Sequence, residues 1–365
     1  MLEMDTALWM EKLRDWGWTE QRQADYDQLS LSNCLPGRIL TEHKGLYRAV
    51  TTSGELLVEV SGKLRHESTG RGDYPAVGDW IAVQPLTGEA RGIVHAVLPR
   101  KSKFSRKLAG AVVDQQIVAA NVDTALLVCA LNHDFNLRRL ERYLILAWES
   151  GANPVIVLTK ADLSDRSAEQ ALEVEAIAPG VPVIVTSVID GDGMGILREL
   201  ARSRETLALL GSSGAGKSSL VNALLEQDVQ AVQNVRAGDD RGRHTTTHRE
   251  LFLLPGGGIV IDTPGMRELQ LWHADGGFDE AFADIEELAA LCRFNDCRHH
   301  GERDCAVTAA IEVGELDSGR FANYLKLQKE LAYLARKDST HQRQQEKATG
   351  RKHSKFLKEV YRGRE

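Results

Sequence analysis

Gly211-Ser212-Ser213-Gly214-Ala215-Gly216-Lys217-Ser218, followed by Ser219, decides the fold of this chain of 365 residues. The stretch fits G-x-x-x-x-G-K-[ST]. Its flanks give the pattern weight: an apolar run, Thr206 to Leu210, precedes it as a strand would, and an amphipathic run, Ser218 to Leu225, follows as a helix would. Gly211, Gly214 and Gly216 let the backbone turn its N–H groups inward around phosphate oxygens, and the positive end of the following helix strengthens that field. Lys217 is placed to reach the β- and γ-phosphates, and Ser218 to ligate Mg²⁺. A glycine-rich turn with no ligand would leave the flanking strand and helix unexplained.

Upstream of this loop, strands alternate with helices. Thr124 to Leu131 reads as a buried strand, and Leu137, Leu140, Leu144 and Ala147 mark one face of a helix that ends at Gly151. Val155 to Leu158 is a second strand running into Thr159-Lys160-Ala161-Asp162, a helix spans about Ser167 to Ala178, and Val183 to Val185 leads into Thr186-Ser187. This rhythm predicts a mostly parallel sheet with ligand loops at the carboxyl ends of its strands. An Asp at such an end can accept hydrogen bonds from the N1–H and exocyclic amino group of guanine, a donor pair that adenine lacks. Asp162 is that candidate, with Lys160 along the ring and Ser187 beside it. In the GTPase superfamily the motif is usually Asn-Lys-x-Asp; here Thr159 replaces the Asn, which bears on base selectivity.

Downstream, Asp262-Thr263-Pro264-Gly265 follows the apolar strand Gly258 to Ile261 and matches D-x-x-G, in which Asp262 would serve the Mg²⁺ shell and the Gly265 N–H the γ-phosphate. Between the two motifs lies Arg241-Gly242-Arg243-His244-Thr245-Thr246-Thr247-His248, where a first switch loop would keep its Mg²⁺-binding Thr. Thr246 is taken as the middle choice of three. Met266 follows D-x-x-G where a Ras-like protein has a water-orienting Gln. Slow intrinsic hydrolysis is therefore expected, with His244 as the candidate group near the attacking water. The linear order, guanine anchor before phosphate loop before switches, is a circular permutation, which a compact fold with neighbouring termini tolerates.

Three of the five cysteines fall close together in Cys292-x4-Cys297-x-His299-x5-Cys305. Three thiolates and one imidazole make a closed, hence structural, Zn²⁺ shell. His300 could stand in for His299; spacing favours neither. A helix from Phe278 to Leu291 precedes the cluster, and another, about Glu315 to Arg336, follows with Tyr324, Leu327, Leu331 and Leu334 on one stripe, which reads as core.

Before the sheet, Gly37 to Leu40, Leu46 to Thr51, Glu55 to Val60, Trp80 to Val83 and Gly92 to Val97 are short β-rich runs divided by turn residues. Five such strands fit a Greek-key barrel of the oligonucleotide-binding (OB) type. Arg38, Lys44, Arg48, Lys63, Arg65 and Arg71, with Tyr47 and Tyr74, would give it charge and stacking for RNA. Net charge is −7, yet residues 36–108 carry +5 and residues 336–365 carry +6, so an acidic middle is flanked by basic ends suited to an anionic partner. The start of the chain lacks the pattern of a signal peptide and no apolar run approaches the ~18 residues of a membrane span, so a soluble cytoplasmic protein is expected.

The expected organisation is an N-terminal extension (1–35), an OB-type barrel (36–100), a circularly permuted P-loop GTPase domain (101–271), a helical zinc-binding domain (272–340) and a basic tail (341–365). Barrel, permuted domain and Cys-Cys-His-Cys module in this order resemble the circularly permuted GTPases of small ribosomal subunit biogenesis, the RsgA family. The resemblance rests on Gly211 to Ser219, Arg243 to Thr247, Asp262 to Gly265 and the four metal ligands. It implies a monomer that binds GTP or GDP with Mg²⁺, carries one Zn²⁺, engages the 30S subunit through 16S rRNA late in maturation, hydrolyses GTP faster there and leaves. Two other classes fit parts of the pattern. A P-loop ATPase or small-molecule kinase would prefer ATP, and an RNA scaffold using nucleotide only for stability would work without hydrolysis.

Overall fold

The computed structural model describes residues 11–107, 115–202, 204–226, 249–262 and 276–336. His244, Thr246 and Gly265 lie outside them. The described residues form two compact units, one holding residues 11–106 and those from 115 to 281, the other residue 107 and residues 282–336.

The first unit begins with residues 11–15 (α1) and Glu20–Gln28 (α2). Five strands follow: β1 (Leu35–His43), β2 (Leu46–Thr51), β3 (Gly54–Val60), β4 (Trp80–Pro85) and β5 (Arg91–Val97), with α3 (Gly62–Glu67) between β3 and β4. They pair in the ring β1-β2-β3-β5-β4 and back to β1, with β3 and β5 parallel and the other pairs antiparallel. This closed ring is the expected OB-type barrel, and β3 shows why the chain forms it: Leu56, Val58 and Val60 alternate inward with Glu55, Leu57 and Glu59 outward. The inward set joins Ile39, Tyr47, Ile81, Val83 and Val94 in one core.

Two residues expected on the RNA-facing surface are inside. Tyr47 is a core residue, and Arg38 is 1% exposed. The outer face of β1 is covered by the N-terminal segment and the base of the following sheet, so the Arg38 guanidinium finds carbonyls there instead of water. It donates to Trp16 O, Gly78 O (3.3 Å), Asn121 O (3.4 Å) and Thr206 Oγ1 (2.8 Å), and lies over the Trp80 ring at 5.0 Å. Burial lowers its pKa to about 10, with Asp123 and Asp79 opposing that fall. Trp18 packs edge-on to Trp80 at 4.8 Å, which seats the N-terminal extension. In the basic stretch that follows the barrel, Arg100-Lys101-Ser102-Lys103-Phe104-Ser105-Arg106-Lys107, two cations are likewise committed: Arg100 forks onto buried Asp79 at 2.9 and 2.7 Å, and Lys101 pairs with Asp123 at 2.7 Å.

β6 (Lys103–Lys107) and β7 (Gln115–Ala120) form a separate two-stranded sheet. Next come β8 (Thr124–Ala130), α4 (Leu137–Ser150), β9 (Asn153–Thr159), α5 (Ser167–Ile177), β10 (Val183–Val185), α6 (Met194–Ala201), β11 (Thr206–Gly211), α7 (Lys217–Leu225), β12 (Glu250–Leu253), β13 (Ile259–Asp262) and α8 (Gly277–Ala281). α4 stops at Gly151, which takes φ +83°. The strand order is β10-β9-β8-β11-β13-β12, all parallel except β12. The earlier half of the chain thus builds one wing and the later half the other, with the phosphate-loop strand β11 between them. That is the permuted arrangement read from the motif order. Beyond β12 the sheet continues into the barrel through Thr41 opposite Glu250, flanked by Arg48–Glu250 and Arg249–Glu42 ion pairs.

The second unit contains α9 (Ala283–Ala290), α10 (Ala306–Glu312) and a helix over 318–336 (α11). The single helix expected from Phe278 to Leu291 is broken into α8 and α9 at Phe282 (φ −123°, ψ 30°). Burial of its ring explains the break: Phe282 is fully buried, edge-on to Tyr324 at 5.4 Å and covered by the Arg320 guanidinium at 4.8 Å, which is itself paired to Asp284 at 2.6 Å. Tyr324, Leu327 and Leu331 are buried, as the stripe predicted. Among the described residues no helix is long and apolar enough to cross a membrane.

Candidate nucleotide site and candidate metal centre

Parallel neighbours put five strand ends at one edge of the sheet. Gly211 sits opposite Val128, Ala130 opposite Thr159, Leu158 opposite Val185, and Ala208 opposite Ile261, so the loops after β8, β9, β10, β11 and β13 gather there. Gly211 is needed where β11 ends, because a Cβ would come within 2.5 Å of the Val128 carbonyl oxygen. Gly216 takes φ +92° immediately before α7 and lets the loop turn into the helix. Ser212, Ser213, Ser218 and Ser219 are half-buried around the loop, Gly214 is exposed and Ala215 is buried. Lys217 Nζ donates to the carbonyls of Gly211 (2.9 Å) and Ser212 (2.6 Å), which lays the ammonium across the loop.

The guanine-type motif meets this loop through Thr159. Its buried hydroxyl donates to Ala215 O at 2.6 Å and lies 3.4 Å from Cys129 O. Thr159 is therefore a clip between the two motifs rather than a base-facing group, and the substitution for Asn keeps a hydrogen-bonding side chain at the join. Lys160 takes a left-handed backbone (φ +59°), which swings Ala161 back to donate to Thr186 O at 3.1 Å. Asp162 is exposed except where Ser187 Oγ donates to its Oδ1 at 2.9 Å. Ser187 is 1% exposed, so its hydroxyl is a fixed donor that orients the carboxylate. A carboxylate with a solvent-facing edge at a strand end has the lone pairs to accept from two adjacent N–H donors.

Asp262 closes β13 at the same edge, half-buried and opposite Glu250 in register. Ser218 in the first turn of α7 and Asp262 offer oxygen donors of the hard type Mg²⁺ takes. Asp134, in the turn after β8, was not singled out from the sequence: it accepts from Ser212 Oγ and pairs with Arg139 at 2.7 Å. The rule that ligand loops cluster at carboxyl strand ends would have pointed to that turn. Burial works against the charged form of Asp134, but the bonds from Arg139 and Ser212 outweigh it and hold its pKa below the usual carboxylate range.

In the second unit Cys292, Cys297, His299 and Cys305 bring one ligand atom each to within 4.8 Å of one another. Cys292 Sγ and Cys305 Sγ are 3.9 Å apart, and His299 Nδ1 is 3.6 Å from Cys292 Sγ and 3.4 Å from Cys305 Sγ. A tetrahedral Zn²⁺ with ordinary bond lengths requires about 3.8 Å between two sulfurs and about 3.5 Å between sulfur and nitrogen. The donor set fits that ion. Between the two candidate histidines the backbone chooses: His299 (φ +59°) turns inward, while exposed His300 donates its N–H to Glu302 Oε2 at 2.6 Å. Burial disfavours the Cys305 thiolate, but hydrogen bonds from Thr308 and His299 outweigh it and lower the thiol to about 6, toward the metal-binding form.

A family model described as RsgA GTPase matches residues 97–272. The chain is 47% identical over 306 residues, 84% of its length and 87% of the relative's, to the small ribosomal subunit biogenesis GTPase RsgA 1 of Oceanobacillus iheyensis. It is 46% identical over 330 residues, 88% of its length and 90% of the relative's, to the corresponding GTPase of Opitutus terrae. Among solved structures it is similar to YjeQ from Thermotoga maritima, with TM-score 0.61 and 28% identity over 82% of this chain and 99% of that one. YloQ, described as a circularly permuted GTPase, matches with TM-score 0.57 and 25% identity over 82% and 96% of the two chains. A permuted sheet with a phosphate loop at its centre, and relatives this similar over most of its length, make the chain a GTP-hydrolysing member of the RsgA GTPase family.

Proposed function

We propose that this GTPase acts in the assembly of the small ribosomal subunit, binding the 30S particle and its 16S rRNA as a monomer in the cytoplasm and hydrolysing GTP faster when bound. The observation that carries the reading is the naming of relatives at 46 and 47% identity over at least 84% of the chain as small ribosomal subunit biogenesis GTPases. The surface supports it: Lys44, Lys63, Arg65 and Arg71 are exposed on the barrel segment and able to meet phosphates.

In this reading Asp162, oriented by Ser187 and backed by Lys160, accepts from guanine. Thr159 holds that motif to the phosphate loop, whose residues Gly211 to Ser219 wrap the phosphates. Ser218, Asp262 and Thr246 would hold Mg²⁺, which supplies charge neutralisation between the phosphates, and Gly265 N–H contacts the γ-phosphate. Cys292, Cys297, His299 and Cys305 would hold one structural Zn²⁺. Met266 offers no water-orienting group, and His244 takes that part once the particle fixes the first switch.

GTP turnover measured with and without purified 30S subunits tests the reading. A rise with 30S and none with 50S subunits is expected; equal rates in all three would refute it. His244→Ala should keep nucleotide and 30S affinity while losing the stimulated rate by a factor on the order of 10² or more. Full stimulation of that variant would place the catalytic group on the ribosome instead.

A further inference from the structure

The phosphate loop is tied at its second residue to an acidic group that none of its motifs contains. Ser212 Oγ donates to Asp134 Oδ2, and both Asp134 oxygens accept from Arg139 Nη1, at 2.7 and 2.8 Å. The pair is held in place locally. Asp134 N–H donates to Asn132 Oδ1 at 3.0 Å, and Arg139 stands in the first turn of α4, whose cap Asn136 accepts from the Arg139 N–H. Both side chains are about two-thirds covered, 29% exposed for Asp134 and 34% for Arg139. A carboxylate one hydrogen bond from a loop that wraps phosphates repels them, and partial burial limits how far solvent screens that repulsion. The guanidinium beside it has the opposite effect. Neither charge is needed to form the loop, whose turn is set by its glycines.

We propose that Asp134 and Arg139 together set the affinity of the nucleotide site: Asp134 positions the loop through Ser212 while its charge weakens phosphate binding, and Arg139 offsets most of that charge. The useful consequence is product release, since a loop that grips GDP too firmly makes dissociation limit turnover. The inference rests on Gly211 to Ser219 being the nucleotide site.

The test uses the full chain and a fluorescent N-methylanthraniloyl GDP, with affinity and dissociation rate measured at low and high salt. Asp134→Asn keeps an acceptor for Ser212 but removes the charge, so affinity should rise by about three- to tenfold with slower release. Arg139→Gln removes the cation bonded to both carboxylate oxygens, so affinity should fall by a similar factor. Both effects should shrink in high salt. The double variant, neutral at both positions, should return to within about twofold of the parent. Opposite signs are the signature, because losing a merely structural post weakens binding in every case. If both single variants weaken binding, if neither changes it, or if the double variant is weaker than either, the inference is overturned while the site stands. Failure of the parent itself to bind the GDP probe would overturn the site and the inference together. Thermal melts of each variant separate misfolding from altered affinity.

Discussion

From Leu291 through Asp304 no residue is buried, whereas in β8 every residue from Thr124 to Ala130 is. The two candidate sites stand on these contrasting segments. The candidate nucleotide site is displayed at the edge of a sheet whose interior, including Leu126, Val157, Leu209, Val221 and Val260, is a continuous apolar core. The metal centre has much less backing: from 291 to 304 three of its ligands, Cys292, Cys297 and His299, are half-buried where most neighbours are exposed, and His299 meets Phe321 edge-on at 6.1 Å. A ligand on the first kind of site is a guest, and its loss leaves the fold. An ion in the second kind takes the place of a core, and its loss removes what the loop folds around.

The contrast is tested most severely at the metal. One Zn²⁺ per chain is expected by elemental analysis, and Cys297→Ala should lose it. Apparent Zn²⁺ binding energies in small finger peptides are about 10–16 kcal/mol, far beyond what the exposed segment can replace. Limited proteolysis should then cut within 282–336 while guanine nucleotide still binds. A zinc-free protein as resistant as the parent would erase the distinction.

A smaller loss, but within the first unit, is expected for Arg38→Leu. The substitution removes the Arg38 donors to the carbonyls of Trp16 and Asn121 and to the Thr206 hydroxyl, while Gly78 O keeps the Asn121 Nδ2 donor, and should lower stability to urea by about 1–3 kcal/mol for each group left unsatisfied. Because those groups include the first residue of β11, the sheet and the barrel should unfold in one transition in both proteins. A change under about 1 kcal/mol would show that the apolar core alone holds the unit together.

The smallest expected effect is on selectivity. Asp162→Asn should leave the urea midpoint unchanged and cost about 1.5–3 kcal/mol for each lost guanine bond, shifting preference toward xanthine nucleotides, which present an acceptor where guanine has its amino group. Competition binding with GTP, ATP and XTP measures it. A fall in stability with no change in preference would mean that Asp162 supports the fold and does not read the base.

Much of the fold was legible because it is local. The five barrel strands, α4 with its Gly151 stop, and the strand–loop–helix around Lys217 follow from periodicity and turn residues. The permuted topology follows from the order of three short motifs. What escaped reading depends on distant partners. Arg38 sits in a strand where an outward, solvated side chain is the natural expectation; only the covering of β1 by Trp16, Trp18 and Thr206 makes it buried. Phe282 breaks a helix whose sequence is uninterrupted, because Tyr324 and Arg320 arrive from about forty residues further on. Thr159 reads as a weakened base contact until its bond to Ala215, 56 residues away, shows another role. The choice of His299 over His300 is a matter of one left-handed backbone residue, to which spacing is blind.

Chain order and sheet order disagree, and a polypeptide is made in one direction. β8, β9 and β10 are synthesised before β11, and Thr206 follows Ala130 by 76 positions. At roughly 5–20 residues per second, the inner edge of β8 is without its neighbour for about 4–15 s. That edge belongs to a strand, Thr-Ala-Leu-Leu-Val-Cys-Ala, that is apolar on both faces, the kind that pairs readily with another chain. In the unpermuted order the phosphate-loop strand would already be waiting. Moving the termini therefore carries a biosynthetic cost that the finished molecule hides: the inner edge of β8 stays open until β11 emerges, and the wing of β13 and β12 closes later still.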